Sequence, residues 1–290
     1  MKKRLVPFRG ISCLALVLLA LPRPAGAVTL GFKLFGGYNS MNGGDVNEGL
    51  KGWFDVYKTE AILSGASVDG DYQAFHAGLV AGADLIVYLS PVIGIGLGAS
   101  YLQTQSNSEM SVAFGPLSGS LTIKPQISAI PVRVGLHVAL PLGSLLNLTL
   151  NAGAEYYLAK IKNTLRVDMT AHWNQSAFDV DSKGKIGFCG GLGLEIRIHP
   201  NFSVILEGGG RYARLDKFEG KATATSSTDP PATLNGKLWY AEFVPAPGYR
   251  FPLLDISNSG PALSPAIANA RYARLDINGF SALAGIMLRF

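Results

Sequence analysis

Charged side chains recur at alternate positions in segments whose intervening residues are apolar. The set contains five cations and four carboxylates: Lys33, Asp84, Arg133, Glu155, Lys185, Glu195, Arg197, Glu207 and Arg211. Near-balanced charges on one face of a sheet are suited to ion pairing, or alternatively to lining a polar channel. Because an unpaired charge in a narrow interior is very costly, we favour pairing and predict a plugged interior.

Residues for catalysis or metal binding are not grouped in the sequence. The four histidines are far apart, and alternation places two of them, His76 and His137, on the charged face. Neither is accompanied by a recognisable serine and acid at a shared strand end, as a hydrolytic triad requires. Cys189 has no cysteine or histidine at metal-ligand spacing. The glycine runs lie inside strand-like segments, where they favour close packing over phosphate binding. We predict no catalytic, cofactor or metal site.

The charged face belongs to eight segments with a two-residue period. Between 129 and 140, for example, Val132 and Val134 lie on one face and Arg133 and His137 on the other. Membrane-spanning strands need about 9–11 residues, whereas ordinary strands average about 5–6. The segments are longer than ordinary strands and span 28–38, 77–89, 94–104, 129–140, 146–158, 186–198, 202–212 and 276–290.

The connections between these segments alternate in length. Short connections fall at 90–92, 141–145 and 199–201, and long ones at 42–74, 106–125, 161–184 and 217–272. Strict alternation of this kind is typical of outer-membrane barrels. The sequence therefore predicts an all-β fold, an eight-stranded antiparallel transmembrane β-barrel with short periplasmic turns and long extracellular loops. Its apolar face points to lipid, and both barrel termini are periplasmic.

The N-terminus has the features of an export signal. A basic start precedes a short apolar run, which is followed by the small residues Ala25, Gly26 and Ala27. We predict a cleaved signal peptide at 1–27 and a barrel at 28–290. The full chain has 25 basic and 20 acidic residues. Five of the basic residues lie in the signal peptide, which leaves 20 of each in the mature chain and gives no reason to expect a nucleic-acid partner.

The C-terminus carries a family resemblance. Ile286 and Leu288 alternate with other residues up to a terminal Phe290, a pattern that resembles the C-terminal signature of bacterial outer-membrane barrels. The mature chain resembles the small eight-stranded type, which includes the OmpA transmembrane domain, OmpX and OmpW-like barrels. This resemblance implies recognition of the last strand by the outer-membrane assembly machinery. It also implies contact with outer-membrane lipid and lipopolysaccharide.

A six-residue motif occurs twice, as Arg211–Asp216 and Arg271–Asp276. We predict that its aromatic and basic residues form an interfacial collar made of Tyr212, Arg214, Tyr272 and Arg274. The alternative is a contact site for lipopolysaccharide phosphates.

The sequence favours a non-enzymatic barrel that serves membrane integrity or displays its loops for binding. One alternative is an OmpW-like narrow channel for small apolar molecules, and a further one is an enzyme that modifies lipid A. No particular ligand is indicated. The loop at 217–272 contains several aromatic residues, including Trp239 and Tyr240. They either form a lid or binding surface, or extend the strands beyond the membrane.

Overall fold

The computed structural model describes residues 29–261 and 264–290, so the predicted signal peptide lies outside the described residues. The elements follow in the order β1 (Thr29–Ser40), α1 (Asp45–Leu63), β2 (Ser67–Asp69), β3 (Ala77–Tyr88), β4 (Ile93–Gln105), β5 (Ser108–Phe114), β6 (Leu117–Pro141), β7 (Leu146–Met169), β8 (Trp173–Asp181), β9 (Lys185–His199), β10 (Phe202–Tyr212), β11 (Arg214–Leu215), β12 (Glu219–Ser226), β13 (Ala232–Phe243), β14 (Phe251–Ser257), β15 (Ile267–Tyr272), β16 (Leu275–Asp276) and β17 (Gly279–Arg289).

Eight long antiparallel strands form a closed barrel, which confirms the predicted fold. Their order around the ring is β1, β3, β4, β6, β7, β9, β10 and β17. The ring closes where β1 pairs with β17, with Gly37 opposite Leu283. A Cβ atom at Gly37 would lie 2.1 Å from the Ala282 carbonyl oxygen. Glycine therefore permits the close approach of the first and last strands.

The barrel wall is apolar outside and polar inside. Leu34, Ile95, Val134 and Leu194 are among the large apolar side chains exposed on its outer surface. The predicted direction of the apolar face is confirmed. One end of the barrel carries short turns and the chain ends, and we call it the short-turn end. The opposite end, which carries the long connections, is the long-loop end.

The outer surface changes polarity along β6. Near the short-turn end its outward row contains Ile130 and Val132, whereas towards the long-loop end the same row continues as Ser128, Gln126 and Lys124. An apolar outer surface suits lipid and a polar one suits water. The boundary of the lipid-facing band on this strand therefore lies between positions 128 and 130.

The inner surface of β7 changes in the opposite direction, from polar near the short-turn end to apolar towards the long-loop end. Asn147 and Glu155 are buried inside the apolar-walled section, whereas Ile161 and Leu165 are buried beyond the boundary. Towards the long-loop end the structure thus has the arrangement of a water-soluble protein, with an apolar inside and a polar outside.

The predicted long connections at 106–125, 161–184 and 217–272 are wrong in part, because all three contain sheet. β6 and β7 run on past the apolar band and stay paired up to Gly119 and Met169. Strands β5 and β2 extend the sheet on one side, and β8, β12, β13 and β14 extend it on the other. The result is a curved sheet that encloses an apolar core.

Helix α1 lies inside this curved sheet, within the predicted loop at 42–74. Val46, Leu50 and Phe54 are spaced four residues apart and at most 1% exposed, so they form one buried face. Acidic residues occupy the first turn, where they interact favourably with the helix dipole. Among the described residues, no helix is both long enough and apolar enough to cross a membrane.

Candidate functional site

The charged residues of the lumen begin in one row across five neighbouring strands. Lys33 on β1 is paired in register with Asp84 on β3, which is opposite Gly98 on β4. Gly98 is opposite Arg133 on β6, and Arg133 is opposite Glu155 on β7. The row therefore places alternating charges on the inner faces of neighbouring strands around half of the barrel.

Gly98 decides which of these charges meet. Arg133 donates a hydrogen bond to Asp84 although β4 lies between their strands. A Cβ atom at Gly98 would lie 1.9 Å from Asp84 Oδ1, so a side chain there would occupy the space that the ion pair needs. Arg133 therefore binds Asp84 and not Glu155, although Glu155 is directly opposite it on β7. Glu155 instead accepts a hydrogen bond from Tyr157.

Lys33 links this row to β10, which lies two strands from β1 on the other side of the barrel seam. Its Nζ donates to Glu207 Oε2 at 2.5 Å and lies 3.9 Å from Asp84 Oδ2. The side chains of Lys33 and Glu207 are 3% exposed. The ring of Phe35 lies beneath the cations, 5.1 Å from Lys33 Nζ. The result is a continuous chain of charges from β10 through β1 and β3 to β6.

A second ion pair lies closer to the short-turn end. Glu195 is fully buried and accepts hydrogen bonds from Arg289 at 2.6 Å and Asn147 at 3.0 Å. The Arg289 guanidinium also lies over the ring of Tyr88. Arg289 was missing from the predicted set, although its position two residues after the inward-facing Met287 signals an inward direction. This pair ties the last strand to the interior.

Of three further residues in the predicted interior set, two lie at the rims of the barrel and one lines the lumen. Lys185 lies at the rim and pairs with Asp216 at 2.9 Å, with about 40% of its side chain exposed. Arg197 lies at the short-turn rim and donates to the Ser144 carbonyl. Both were predicted inside the network, and their strand-end positions explain the difference. Arg211 lines the lumen and is opposite Cys189.

The space left around the charges is small. One cavity of about 30 Å³ is lined by Asp84, Arg133, Glu155 and Arg211, among others. Another of about 20 Å³ adjoins Lys33, Asp84 and Arg133. A single water needs about 10–15 Å³, so these cavities suit one or two waters each. The charged section is therefore filled largely by its own side chains, as expected of eight strands.

The start of α1 is fixed by a buried carboxylate. Asp45 binds both terminal nitrogens of Arg271 and accepts from the backbone N–H of Arg274 at 2.9 Å. The Arg271 guanidinium lies 4.2 Å from the ring centroid of Tyr240. Burial, together with Glu48, raises the pKa of Tyr240 to about 12, so its hydroxyl stays protonated at neutral pH. These contacts attach the helix to β15 and β13.

The repeated motif pairs with itself. Strand β11 from the first copy pairs with β16 from the second, and Arg214 Nε lies 2.9 Å from Asp276 Oδ1. The predicted collar is therefore incorrect for part of its members. Tyr212 faces outward and is exposed, but Tyr272 packs on Trp239, with ring centroids 4.4 Å apart. Arg274 is exposed, and its backbone N–H donates a hydrogen bond to Asp45 at the start of α1.

The remaining sequence candidates are dispersed. His76 is exposed, contrary to its expected inward direction, and His137 lies in the lumen, edge-on to Tyr88. The aromatic residues Trp239 and Tyr240 belong to β13 and form part of the wall, so they extend the sheet and do not form a separate lid.

The C-terminal residues complete the barrel seam. Leu288 and Ile286 are opposite Phe32 and Leu34 on β1. The backbone N–H of Phe290 donates to the Leu30 carbonyl at 2.9 Å. The terminal alternation is thus part of the closing strand, and its recognition by the assembly machinery stays a prediction.

Comparison with known proteins identifies the family. Residues 11–251 match the model of the outer membrane protein beta-barrel domain. A comparison with curated proteins found no significant match. Among solved structures, the chain is similar to the crystal structure of the outer membrane protein OprG from Pseudomonas aeruginosa, with 14% identity, coverage of 90% of this chain and 95% of that one, and a TM-score of 0.39. Because the family match covers most of the sequence, the chain belongs to the outer-membrane β-barrel domain family.

Proposed function

We propose that this protein is a closed, non-enzymatic outer-membrane barrel that presents its long-loop end for binding at the cell surface. The observation that carries the proposal is the contrast between its two halves. The lumen is filled by paired charges around water-sized cavities. The long-loop end, in contrast, has a folded sheet and helix with their own core.

The family membership supports a barrel in the outer membrane. The orientation is part of the proposal: we place the short turns and both barrel termini in the periplasm, as is usual for such barrels. A core-bearing structure beyond the lipid band exceeds what spanning the membrane needs. It therefore favours surface binding over a role confined to membrane integrity.

Single-channel recording tests the closed lumen. We expect the refolded wild-type protein to give no steady ion conductance in planar bilayers, because the charged section leaves only water-sized spaces among the described residues. Steady conductance would overturn this part of the proposal and favour the narrow-channel alternative. Unchanged lipid A after deletion of the gene is the outcome expected of a non-enzymatic protein.

Cysteine labelling on intact cells tests the orientation. In a Cys189→Ser background, Leu63→Cys places a thiol at the long-loop end, where Leu63 is 74% exposed. Ser144→Cys places one in a short turn. A membrane-impermeant maleimide should label the first variant on intact cells and the second only after lysis. The reverse result would place the long-loop end in the periplasm.

A further inference from the structure

The far tip of the long-loop end contains an apolar cavity that is not part of the barrel wall or its lumen. Its volume is about 540 Å³, within the range of about 300–1,000 Å³ that is usual for small-molecule sites. We call it the outer cup. Its walls come from the second half of α1, β5, the start of β6 and the end of β7, with Ala61, Met110, Val112, Leu121, Val167 and Met169 among the lining residues.

The rim of the outer cup is also apolar. Phe114, Leu117 and Met169 line its mouth and are each more than half exposed. Large exposed apolar patches of this kind mark interaction sites or ligand-binding grooves. A second pocket, of about 290 Å³, adjoins the same structure, and Tyr57 and Val167 line both. Tyr57 therefore separates two cavities that open at the same tip.

The distance from the lipid band determines where a ligand comes from. The cup is formed by the end of β6 that lies about 10 residues beyond the polarity boundary, and a tilted strand of that length rises about 25 Å. Acyl chains held in the same membrane do not reach that height. A ligand of the cup therefore arrives from the aqueous phase.

The cup is separated from the lumen. The apolar core between them contains Phe54, Ile123, Ile127 and Ile161, each at most 1% exposed. A ligand in the cup thus occupies a surface site and is not in transit through the barrel.

The ionisable residues of the lining indicate which charge the polar group of a ligand can carry. Glu60 and His172 are its ionisable residues besides Tyr57, and Glu60 is exposed at the side of the cup. Burial and Glu60 raise the pKa of Tyr57, so its hydroxyl remains a neutral hydrogen-bonding group. This carboxylate at the side of the cup attracts cations and repels anions.

We propose that the outer cup binds a small amphipathic molecule from solution, with its apolar body in the cup and a neutral or cationic group beside Glu60. This rests on the proposed surface exposure of the long-loop end. The two claims are tested separately, because cysteine labelling on cells reports orientation, whereas binding to purified protein in nanodiscs does not depend on it.

Calorimetric titration of the full protein in phosphatidylcholine nanodiscs tests the site, with empty nanodiscs subtracted. The probes are octylammonium, octanol and octanoate, which share one chain and differ in charge. We expect saturable binding of the first two and weaker binding of octanoate by about two- to five-fold relative to octylammonium, since exposed charge interactions are modest. Absence of saturable heat with all three probes would overturn the proposal.

Matched variants locate the binding. Val112→Trp fills the cup from β5 and should weaken octanol binding at least ten-fold, whereas Ala113→Trp on the opposite face of the same strand should leave it unchanged. Met169→Trp, at an exposed rim position, gives a second obstruction that does not disturb the core. Equal binding by the obstructing variants and the Ala113→Trp control would overturn the assignment.

Charge variants test the polar group. Glu60→Gln should remove the difference between octylammonium and octanoate, and Glu109→Gln, a nearby exposed acid outside the cup, should retain it. Persistence of the difference in Glu60→Gln would overturn the placement of the polar group. A second assay measures whether the nanodiscs co-sediment with separate phosphatidylcholine vesicles. If the octyl probes do not bind and Val112→Trp abolishes this co-sedimentation, the occupant of the cup is a membrane surface and the small-molecule proposal is wrong.

Discussion

Replacing Lys33 by methionine tests whether paired charges stabilise the lumen. The Lys33 ammonium lies 2.5 Å from Glu207 and 3.9 Å from Asp84. In Lys33→Met, Asp84 keeps Arg133, but Glu207 loses its cation while 3% exposed. Removing one partner of a buried pair typically costs about 3–5 kcal/mol. We expect a cost in that range for Lys33→Met.

The reverse change should be milder. Glu207→Gln leaves Lys33 with Asp84, and we expect a cost of about 1–3 kcal/mol, as for a lost hydrogen-bond partner. The double variant Lys33→Met/Glu207→Gln leaves neither position with an unpaired buried charge. It should therefore be more stable than the sum of the single effects by about 2–3 kcal/mol, near the upper end of measured coupling energies.

Equilibrium unfolding by urea in phosphatidylcholine vesicles measures these differences. The chain has three tryptophans, and Trp53, Trp173 and Trp239 all lie at the long-loop end, so their fluorescence follows that region. Far-ultraviolet circular dichroism follows the barrel sheet. Thr149→Val is a matched control, a buried lumen change without a charge. Additivity within about 0.5 kcal/mol, or a Lys33→Met effect no larger than that of the control, would refute the pairing.

Further changes probe the rest of the molecule. Gly98→Ala should cost about 1–3 kcal/mol in urea unfolding, because its Cβ atom would displace the Asp84 carboxylate; an unchanged midpoint would contradict the role given to this glycine. Gly52→Ala should loosen α1 and shift tryptophan fluorescence, since its Cβ atom would lie 1.6 Å from a β14 carbonyl oxygen, and an unaltered spectrum would count against that contact. Val134→Arg should destabilise by about 2–4 kcal/mol, because Val134 lies near the middle of the apolar outward row from Ile130 to Leu140, and a spin label there should be reached by a lipid-dissolved quencher. Removal of Phe290 should lower the amount of protein in outer-membrane fractions without blocking secretion, and normal levels would argue against a recognition role for this residue.

The membrane-spanning strands are predictable because lipid and lumen impose opposite demands on alternate residues. Within the apolar band, for example, Leu148 and Leu150 on β7 and Leu194 on β9 all face outward. A local pattern with one fixed meaning therefore identifies all eight strands. It also gives the three neighbouring pairs that short turns join, which are β3–β4, β6–β7 and β9–β10.

The same alternation rule explains why the extensions of β6 and β7 and helix α1 are not predicted from the sequence. Beyond the boundary, β6 and β7 keep their two-residue period but reverse its polarity, so a search for apolar outer faces ends near Ile130 and Leu158. Helix α1 has a detectable signal in Val46, Leu50 and Phe54. The alternation rule nevertheless predicts a loop there, because the segment joins two barrel strands and has no two-residue period.

Partners inside the lumen depend on geometry that register alone does not supply. Neighbouring strands correctly place Lys33 opposite Asp84. The choice of Glu207 as the closer partner follows from the stagger of strands around the ring, which brings a residue of β10 across to β1. Arg133 likewise reaches over Gly98 because a glycine lies between. Sequence alternation predicts which charges face inward but not which of them meet.

The lumen and the long-loop end close the barrel in independent ways. Ion pairs fill the section inside the apolar band, and the core around α1 fills the section beyond it. Loss of a single pair removes one obstruction and leaves the other, so Lys33→Met should lose stability without gaining conductance. Under the proposed function, the elaborated end serves binding and the paired charges keep the lumen closed. The apolar tip of that end, open to the medium, is where we expect ligand binding to occur.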